Sequence, residues 1–489
     1  MLALKKYIFR AAVTFVITSV PLLAESGKKN VLIFFIDDLR PELACYGAEY
    51  IKSPAIDTLA SQGVLFERAY CQQALCAPSR ISMMAGQYPD NTGICDLFTP
   101  LRRTSPDAVT MPRHFHEKGY VTASFGKVYH HQIDDKKYWS ELPKISRGKY
   151  ANPKTLALIS QRTVEAKKKG LEGAELRAAS KGPAIESVVA KDEAYRDGKV
   201  AQQAIESLKK NKNKPFFMCV GFAKPHLPFA APKRYWDMYK REQFTVPNRK
   251  LPEGVPSLNS KHWRELRSYQ GMPKEGPLSD EQTLELIHGY AASVSFADAQ
   301  VGKVMAELDR LGLRENTIVV LWGDHGYKLG DYGLWCKHTN LELDTRVPLI
   351  VSAPGYEKGK RTKALVEIVD IFPTVVEMTG GKVPNGRDGK SLEPVLKAPA
   401  KNFRPFAFSQ YPGGSTMGYS IRTDRWRYTE WIKASSKKIV LRELFDHQES
   451  QTPQKNLAGD PEHAALITRL SKQLKSSQRI GASKVKMKK

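Results

Sequence analysis

The sequence predicts an α/β protein: a doubly wound, mainly parallel sheet followed by a smaller C-terminal antiparallel α+β subdomain. Two patterns carry this prediction. Between Val31 and Val351, five short apolar runs alternate with helical stretches, as in successive βαβ units. Past Pro399–Pro405 the chain instead alternates apolar and polar residues, as paired antiparallel strands do. With 489 residues there is chain enough for both parts.

The first strand, Val31-Leu-Ile-Phe-Phe-Ile36, is apolar throughout, as a strand covered on both faces must be. It stops at Asp37-Asp38, two carboxylates that repel each other unless cations bind them. The C-terminal end of a parallel strand is where α/β proteins hold ligands. Ser53 to Gly63 reads as a capped helix with Pro54 inside its start. Val121–Phe125 is the second strand, ending in Gly126-Lys127 and His130-His131. Tyr138 to Arg196 is polar and irregular, an insertion or lid near the site. Asp197 opens the next helix, running through Gln202 to Leu208.

Pro215–Val220 is the third strand and leads to Lys224 and His226. Pro232 to Pro277, rich in proline, tyrosine, tryptophan and charge, reads as a wrapping segment. Asp280 to Leu313 gives one or two amphipathic helices, Thr317–Trp322 a fourth strand ending in Asp324-His325, and Val347–Val351 a fifth. In the C-terminal part Met417 to Trp431 alternates like paired strands, and Pro461 to Leu474 forms a helix. The expected division is residues 1–24 as export signal, 25–400 as catalytic domain and 401–489 as a subdomain with a flexible basic tail.

The export signal rests on Lys5, Lys6 and Arg10, followed by an apolar run from Ala11 to Leu23 and the small Ala24. That run is short for a membrane span, so the sequence predicts an exported protein, periplasmic or secreted, with no membrane attachment once the signal is removed. The formal charge of +25 favours an anionic partner. No recognition helix, zinc-finger spacing or aromatic–basic platform supports nucleic acid, which leaves an anionic polysaccharide. The six cysteines show no zinc-ribbon spacing, so few disulfides are expected and no pairing is assigned.

The chain is organised around Cys76-Ala77-Pro78-Ser79-Arg80. Pro78 suits the first turn of a helix, and Ser79 to Met84 can continue it. Cys76 then falls just before a helix N-terminus, where backbone N–H groups and the dipole favour an anion. Arg80, one turn in, faces the same spot. A buried cysteine at an ordinary helix start would look the same locally. The partners have to come from elsewhere. Four strand ends supply them: Asp37-Asp38, Lys127 with His130, Lys224 with His226, and Asp324-His325, with Lys337 in a loop after the last. In a parallel sheet these ends converge on one edge.

Eight segments carry a specific resemblance: Asp37 to Gly47, Cys76–Arg80, Gly126-Lys-Val, Lys224-Pro-His226, Asp324-His-Gly326, Lys337, Val347–Ile350 and Met417–Thr423. In this order, over nearly the whole mature chain, they resemble the type I sulfatases of the alkaline phosphatase superfamily, their iduronate-sulfatase branch above all. The resemblance implies the alkaline phosphatase/sulfatase-like fold and hydrolysis of a sulfated carbohydrate, a 2-O-sulfated uronate being the expected unit. It implies that a formylglycine-generating or sulfatase-maturating enzyme oxidises Cys76 to formylglycine, whose hydrate is the nucleophile. It further implies one Ca²⁺ held by Asp37, Asp38, Asp324, His325 and the modified Cys76; carboxylates suit this hard cation. His325 stands where many members carry Asn.

On the same resemblance, Arg80 and Lys127 hold the hydrated aldehyde, and His130 takes a proton from its remaining hydroxyl as sulfate leaves. His226 and Lys337 bind the sulfate group and protonate the leaving sugar oxygen. Lys224 either lines the pocket or flanks it, while His131, His288 and His338 are read as ordinary histidines. One departure is visible: Gly86 is followed by Gln87 where the family often has arginine, which touches either maturation or a support of the nucleophile. Two alternatives remain, a phosphodiesterase or phosphonate monoester hydrolase of the same superfamily and an inactive sulfated-glycan-binding protein. Retention of Cys76, Asp37, Asp324 and Lys127 argues against the last.

Overall fold

The computed structural model describes residues 27–130, 135–142, 148–255 and 264–477. The predicted export signal, His131 and the basic tail lie outside the described residues. Seven strands form the central sheet: β1 (Asn30–Asp37), β2 (Val64–Tyr70), β3 (Val121–Gly126), β4 (Phe216–Pro225), β5 (Thr317–Gly323), β6 (Arg346–Ser352) and β7 (Lys360–Glu367). Their order is β7-β2-β6-β5-β1-β4-β3. The predicted mainly parallel sheet is present, with one correction: β6, expected simply as a fifth strand, runs antiparallel to both β2 and β5. Two strands, β2 and β7, are additions to the sequence reading.

Strand β1 is central, pairing in parallel with β5 from Asn30↔Thr317 to Ile36↔Gly323 and with β4 from Val31↔Phe217. Its apolar run divides by alternation. Leu32, Phe34 and Ile36 pack on one face with helices α1 (Pro54–Ser61), α4 (Arg196–Asn211) and α5 (Asp280–Arg310). Val31, Ile33 and Phe35 pack on the other with α2 (Cys76–Ala85), α3 (Met111–Glu117) and α6 (Ile371–Met378). Both faces are therefore covered by helices, as a parallel sheet requires.

Asp280 to Arg310 is one continuous helix rather than two. It starts in a capping box, where Ser279 Oγ accepts from Gln282 N at 3.1 Å and Gln282 Oε1 accepts from Ser279 N at 3.4 Å. The stretch from Tyr138 to Arg196 is more ordered than its polarity suggested, with helices over Pro153–Lys168 and Gly173–Ala179. The C-terminal alternation is a four-stranded antiparallel sheet, β8 (Ala407–Gly413), β9 (Thr416–Arg422), β10 (Trp426–Lys433) and β11 (Ile439–Asp446). Helix α7 (Ala464–Ser476) packs Leu470 and Leu474 into its core. Buried Glu342 joins this sheet to the rest, accepting from Arg422 Nε at 2.9 Å, Arg427 Nη2 at 2.7 Å and Tyr70 Oη at 2.9 Å. No disulfide joins any two of the six cysteines, and among the described residues no helix is long and apolar enough to cross a membrane.

Candidate active site

The strands β5, β1, β4 and β3 are adjacent and parallel, so their C-terminal ends present Asp324, Asp37-Asp38, Lys224/His226 and Lys127 along one edge. The register of β1 against β4 shifts between Ile36 and Asp37, so that Asp37 pairs with Pro225 and Asp38 lies just past the strand. Asp38 takes φ +60, a left-handed conformation disfavoured for a side-chain-bearing residue. Its N–H donates to Asp324 Oδ1 at 3.0 Å and its carbonyl accepts from Tyr290 Oη at 2.9 Å, which hold it there.

Cys76 is the first residue of α2 rather than the residue before it, with Leu75 as N-cap. Pro78 remains within the first turn. Cys76 Sγ lies 3.2 Å from His325 Nε2, 3.6 Å from Asp37 Oδ1 and 3.6 Å from Lys127 Nζ. Arg80, fully buried, returns to the same spot: Nε donates to Asp324 Oδ2 at 2.9 Å and Nη2 to Asp37 Oδ1 at 3.0 Å. Its remaining N–H groups reach the carbonyls of Lys127 and Val128. Lys127 Nζ pairs with Asp37 Oδ2. Burial alone would raise the Asp37 carboxyl, but Lys127, His226 and Arg80 outweigh it and hold the group well below the usual carboxylate range. Burial pushes the Cys76 thiol well up, Asp37 and Asp324 add to that, and Lys127 opposes it. As a plain thiol Cys76 is a poor nucleophile.

Asp37, Cys76, Asp324 and His325 each present a donor atom within 4.8 Å of the others. His325 Nδ1 faces the Gly326 carbonyl at 3.0 Å, which can only accept, so the hydrogen sits on Nδ1 and Nε2 is free to ligate. Nε2 points at Asp38 Oδ1 and Asp324 Oδ2, both at 3.5 Å. A histidine whose far N–H is fixed by a carbonyl, beside buried carboxylates, is the arrangement of a metal-binding site. The residues fit a divalent cation.

The opposite side is built from Lys337, His226 and a residue the sequence reading missed, Glu265. Lys337 Nζ reaches Asp38 Oδ1 at 3.0 Å and Glu265 Oε2 at 3.0 Å. His226 Nε2 lies 3.1 Å from Glu265 Oε1, and its Nδ1 lies 2.7 Å from the Leu227 carbonyl. Both ring nitrogens therefore face oxygen acceptors. Burial would raise the Glu265 carboxyl, but Lys337 and His226 reverse this and keep it ionised. Glu265 lies in the segment read as wrapping, and nothing in its sequence neighbourhood marks it. Its carboxylate occupies the donors that an incoming anion would use. Glu265→Gln should therefore tighten binding of inorganic sulfate roughly threefold to tenfold by removing a like charge, measured by calorimetric titration; weaker binding would show that Glu265 only orients His226 and Lys337.

These groups open into a cleft of about 1120 Å³ whose lining includes Asp37, Lys127, His130, Lys224, His226 and Glu265. Cys76, 2% exposed, lies beneath its floor. Lys224 lines the cleft, but its ammonium donates to the Pro228 carbonyl, and burial, partly offset by Asp197, pushes it down to about 8. The departure at Gln87 has a structural counterpart. Gly86 ends α2 at φ +60, where a Cβ would come within 3.1 Å of Phe372 Cβ and Arg387 Cδ. Arg387 donates from Nη1 to the carbonyls of Ala85 and Val109, so an arginine from a distant loop supports this helix end.

The sulfatase family model matches residues 29–381. The chain belongs to the sulfatase family. It is a sulfuric ester hydrolase, and a second family model, described as the C-terminal part of N-sulphoglucosamine sulphohydrolase, matches residues 330–480. This sulfatase is 33% identical to the iduronate 2-sulfatase of Mus musculus over 90% of the chain and 92% of the relative. It is 34% identical to that of Homo sapiens over 82% and 85%. Among solved structures, a phosphonate monoester hydrolase from Silicibacter pomeroyi superposes with a TM-score of 0.74 at 25% identity, covering 93% of this chain and 96% of the other.

Proposed function

We propose that this sulfatase hydrolyses the sulfate monoester of a 2-O-sulfated uronate, using formylglycine made from Cys76 and one Ca²⁺ held by Asp37, Asp38, Asp324 and His325. The observation that carries the reading is the buried ring around Cys76 Sγ: His325, Asp37 and Lys127 within 3.6 Å, with Arg80 tying Asp37 to Asp324. The likeness to the two iduronate 2-sulfatases supports the choice of sugar. It also favours sulfate over phosphonate, since the phosphonate hydrolase is less similar in sequence.

Lys127 Nζ favours an anionic oxygen at the Cys76 position, and Arg80 keeps the two flanking carboxylates in place for it. His130, on the cleft wall beside Lys127, accepts a proton from the hydroxyl of the hydrated aldehyde. His226 Nε2–H and Lys337 Nζ bind the sulfuryl oxygens from the other side, and His226 passes its proton to the leaving sugar oxygen. A divalent cation held by the carboxylates would supply Lewis-acid polarisation of a sulfuryl oxygen. The formylglycine would supply the attacking hydroxyl. Residues 1–24 direct export to the periplasm or beyond, on the strength of Lys5, Lys6 and Arg10 before the Ala11–Leu23 run.

The test of the sugar is sulfate release from defined monosaccharides, with a 2-O-sulfated uronate expected to exceed a 6-O-sulfated glucosamine in kcat/KM. The reverse order would remove the uronate reading and leave the sulfatase activity intact. The cation is tested separately. Chelation should abolish activity and lower the melting temperature, and Ca²⁺ at about 100 times its Kd should restore about 2.7 kcal/mol of stability. Unchanged melting and activity after chelation would remove the metal from the reading.

A further inference from the structure

The floor of the cleft is matched in charge. Asp37 is paired by Lys127 and Arg80, Glu265 by Lys337 and His226, and Asp135 by Arg102. The outer wall is not. Lys149, Arg177, Lys181 and Arg196 line the same cleft, and among the described residues none of the four has a carboxylate at ion-pair distance. Backbone contacts help to place them, and Glu265 is a carboxylate whose charge reaches both Lys149 and Lys181. The Gly148 carbonyl accepts from Arg196 N at 2.9 Å, which sets Lys149 beside the start of α4. Gly148 takes φ +131, and a Cβ there would meet the Ala194 carbonyl oxygen at 2.8 Å, so only glycine makes this approach.

Lys181 Nζ donates to Ser268 Oγ and sits 4.3 Å from the centroid of the Tyr269 ring. The cleft walls, then the charges of Arg196 and Lys127, push the Lys149 ammonium down. Such mutual repulsion is relieved when an anion binds.

The same cleft carries an aromatic surface. Phe98 is 70% exposed and lines it. Its loop is fixed by Asp96, whose Oδ1 accepts from the N–H groups of Phe98 and Thr99, each at 2.7 Å. A rigidly held, exposed ring offers a flat face to the apolar side of a sugar. At about 1120 Å³ the cleft exceeds the roughly 300–1,000 Å³ of small-ligand sites, with room for more than one sugar ring.

We infer that Phe98 with Lys149, Arg177, Lys181 and Arg196 forms a subsite for the sugar next to the one that loses its sulfate, selecting a neighbour with its own carboxylate or sulfate. This rests on the sulfate-ester reading and adds the chemistry of the adjoining unit, so the natural substrate is an oligosaccharide bearing at least two anionic groups.

The test compares sulfate release from two disaccharides that share one 2-O-sulfated uronate. In one the adjoining glucosamine is N-sulfated, in the other it is N-acetylated and neutral. The wild-type enzyme should prefer the charged neighbour by on the order of tenfold in kcat/KM, the worth of one charge-assisted hydrogen bond, and lose that preference as ionic strength rises. The Lys149→Met/Lys181→Met protein should lose it through KM rather than kcat, and Phe98→Ala should raise KM for both disaccharides. Equal rates for the two in wild type would overturn the subsite, as would a preference that survives the double substitution. The wild-type comparison stands even if a variant misfolds. If neither disaccharide nor 4-nitrophenyl sulfate releases sulfate, the sulfate-ester reading fails instead. Calorimetric binding of the two disaccharides then decides the subsite, equal affinities overturning it.

Discussion

Cys76→Ala should cost at least about 10³-fold in sulfate-ester hydrolysis while leaving the fold intact, because on the proposed reading it removes the side chain that becomes the nucleophile and little else. Cys76 closes one end of α2, and the closer bonds that anchor that helix to the sheet run through Arg80 and Ser79, Sγ adding only a long contact to Asp37 at 3.6 Å. The matching measurement on the native protein is the mass of the peptide spanning Cys76 after co-expression with a maturation enzyme. Conversion of thiol to aldehyde lowers it by about 18 Da, a branch off the usual cysteine oxidation ladder. A peptide that keeps its thiol in fully active protein would end the formylglycine reading. One that keeps it in inactive protein, beside a control sulfatase that matures, would favour the glycan-binding alternative.

Arg80→Ala should have the largest effect on stability of any single change at the site. Arg80 is 0% exposed, and its guanidinium bridges Asp37 and Asp324. Removing it leaves two buried carboxylates facing each other with one cation fewer. Breaking a buried pair of this kind costs about 3–5 kcal/mol, through the uncompensated charge more than the lost contact. Arg80→Lys keeps the charge but not the planar fork that reaches both carboxylates, so it should recover only part of the loss. If a divalent cation sits between Asp37 and Asp324, raising Ca²⁺ should restore melting of the alanine protein without restoring turnover. An alanine protein that melts with the wild type would show that the cation, not Arg80, holds the carboxylates.

The parts of the fold that were legible share one property: their signal is local. The β1, β4 and β5 runs are apolar at every position because both faces are covered, and that pattern is visible in a window of six residues. Strands β2 and β7 were not legible. β2 carries Glu67 and Arg68 in its middle, and β7 opens with Lys360-Arg-Thr-Lys at the edge of the sheet, where solvent takes the outward side chains. The reversed direction of β6 leaves no trace in Val347–Val351, because direction depends on how the chain returns rather than on which residues are buried.

The edge that carries the candidate site was legible in the residues alone. Asp37-Asp38, Lys127, His226 and Asp324-His325 each follow an apolar run or lie just past one, so knowing the strands placed them together, and the pentapeptide from Cys76 supplied the group they surround. What stands around that edge came from the folded chain. Glu265 meets Lys337 across 72 residues, Arg387 reaches the end of α2 across 302, and the cleft-wall cations, without a carboxylate at ion-pair distance among the described residues, come from two helices and the loops beside them. These are an ion pair, a hydrogen bond to a carbonyl, and charges left without a close partner, all between groups remote in sequence. Periodicity reports which face of an element is buried; it carries no record of which distant charge that face will meet.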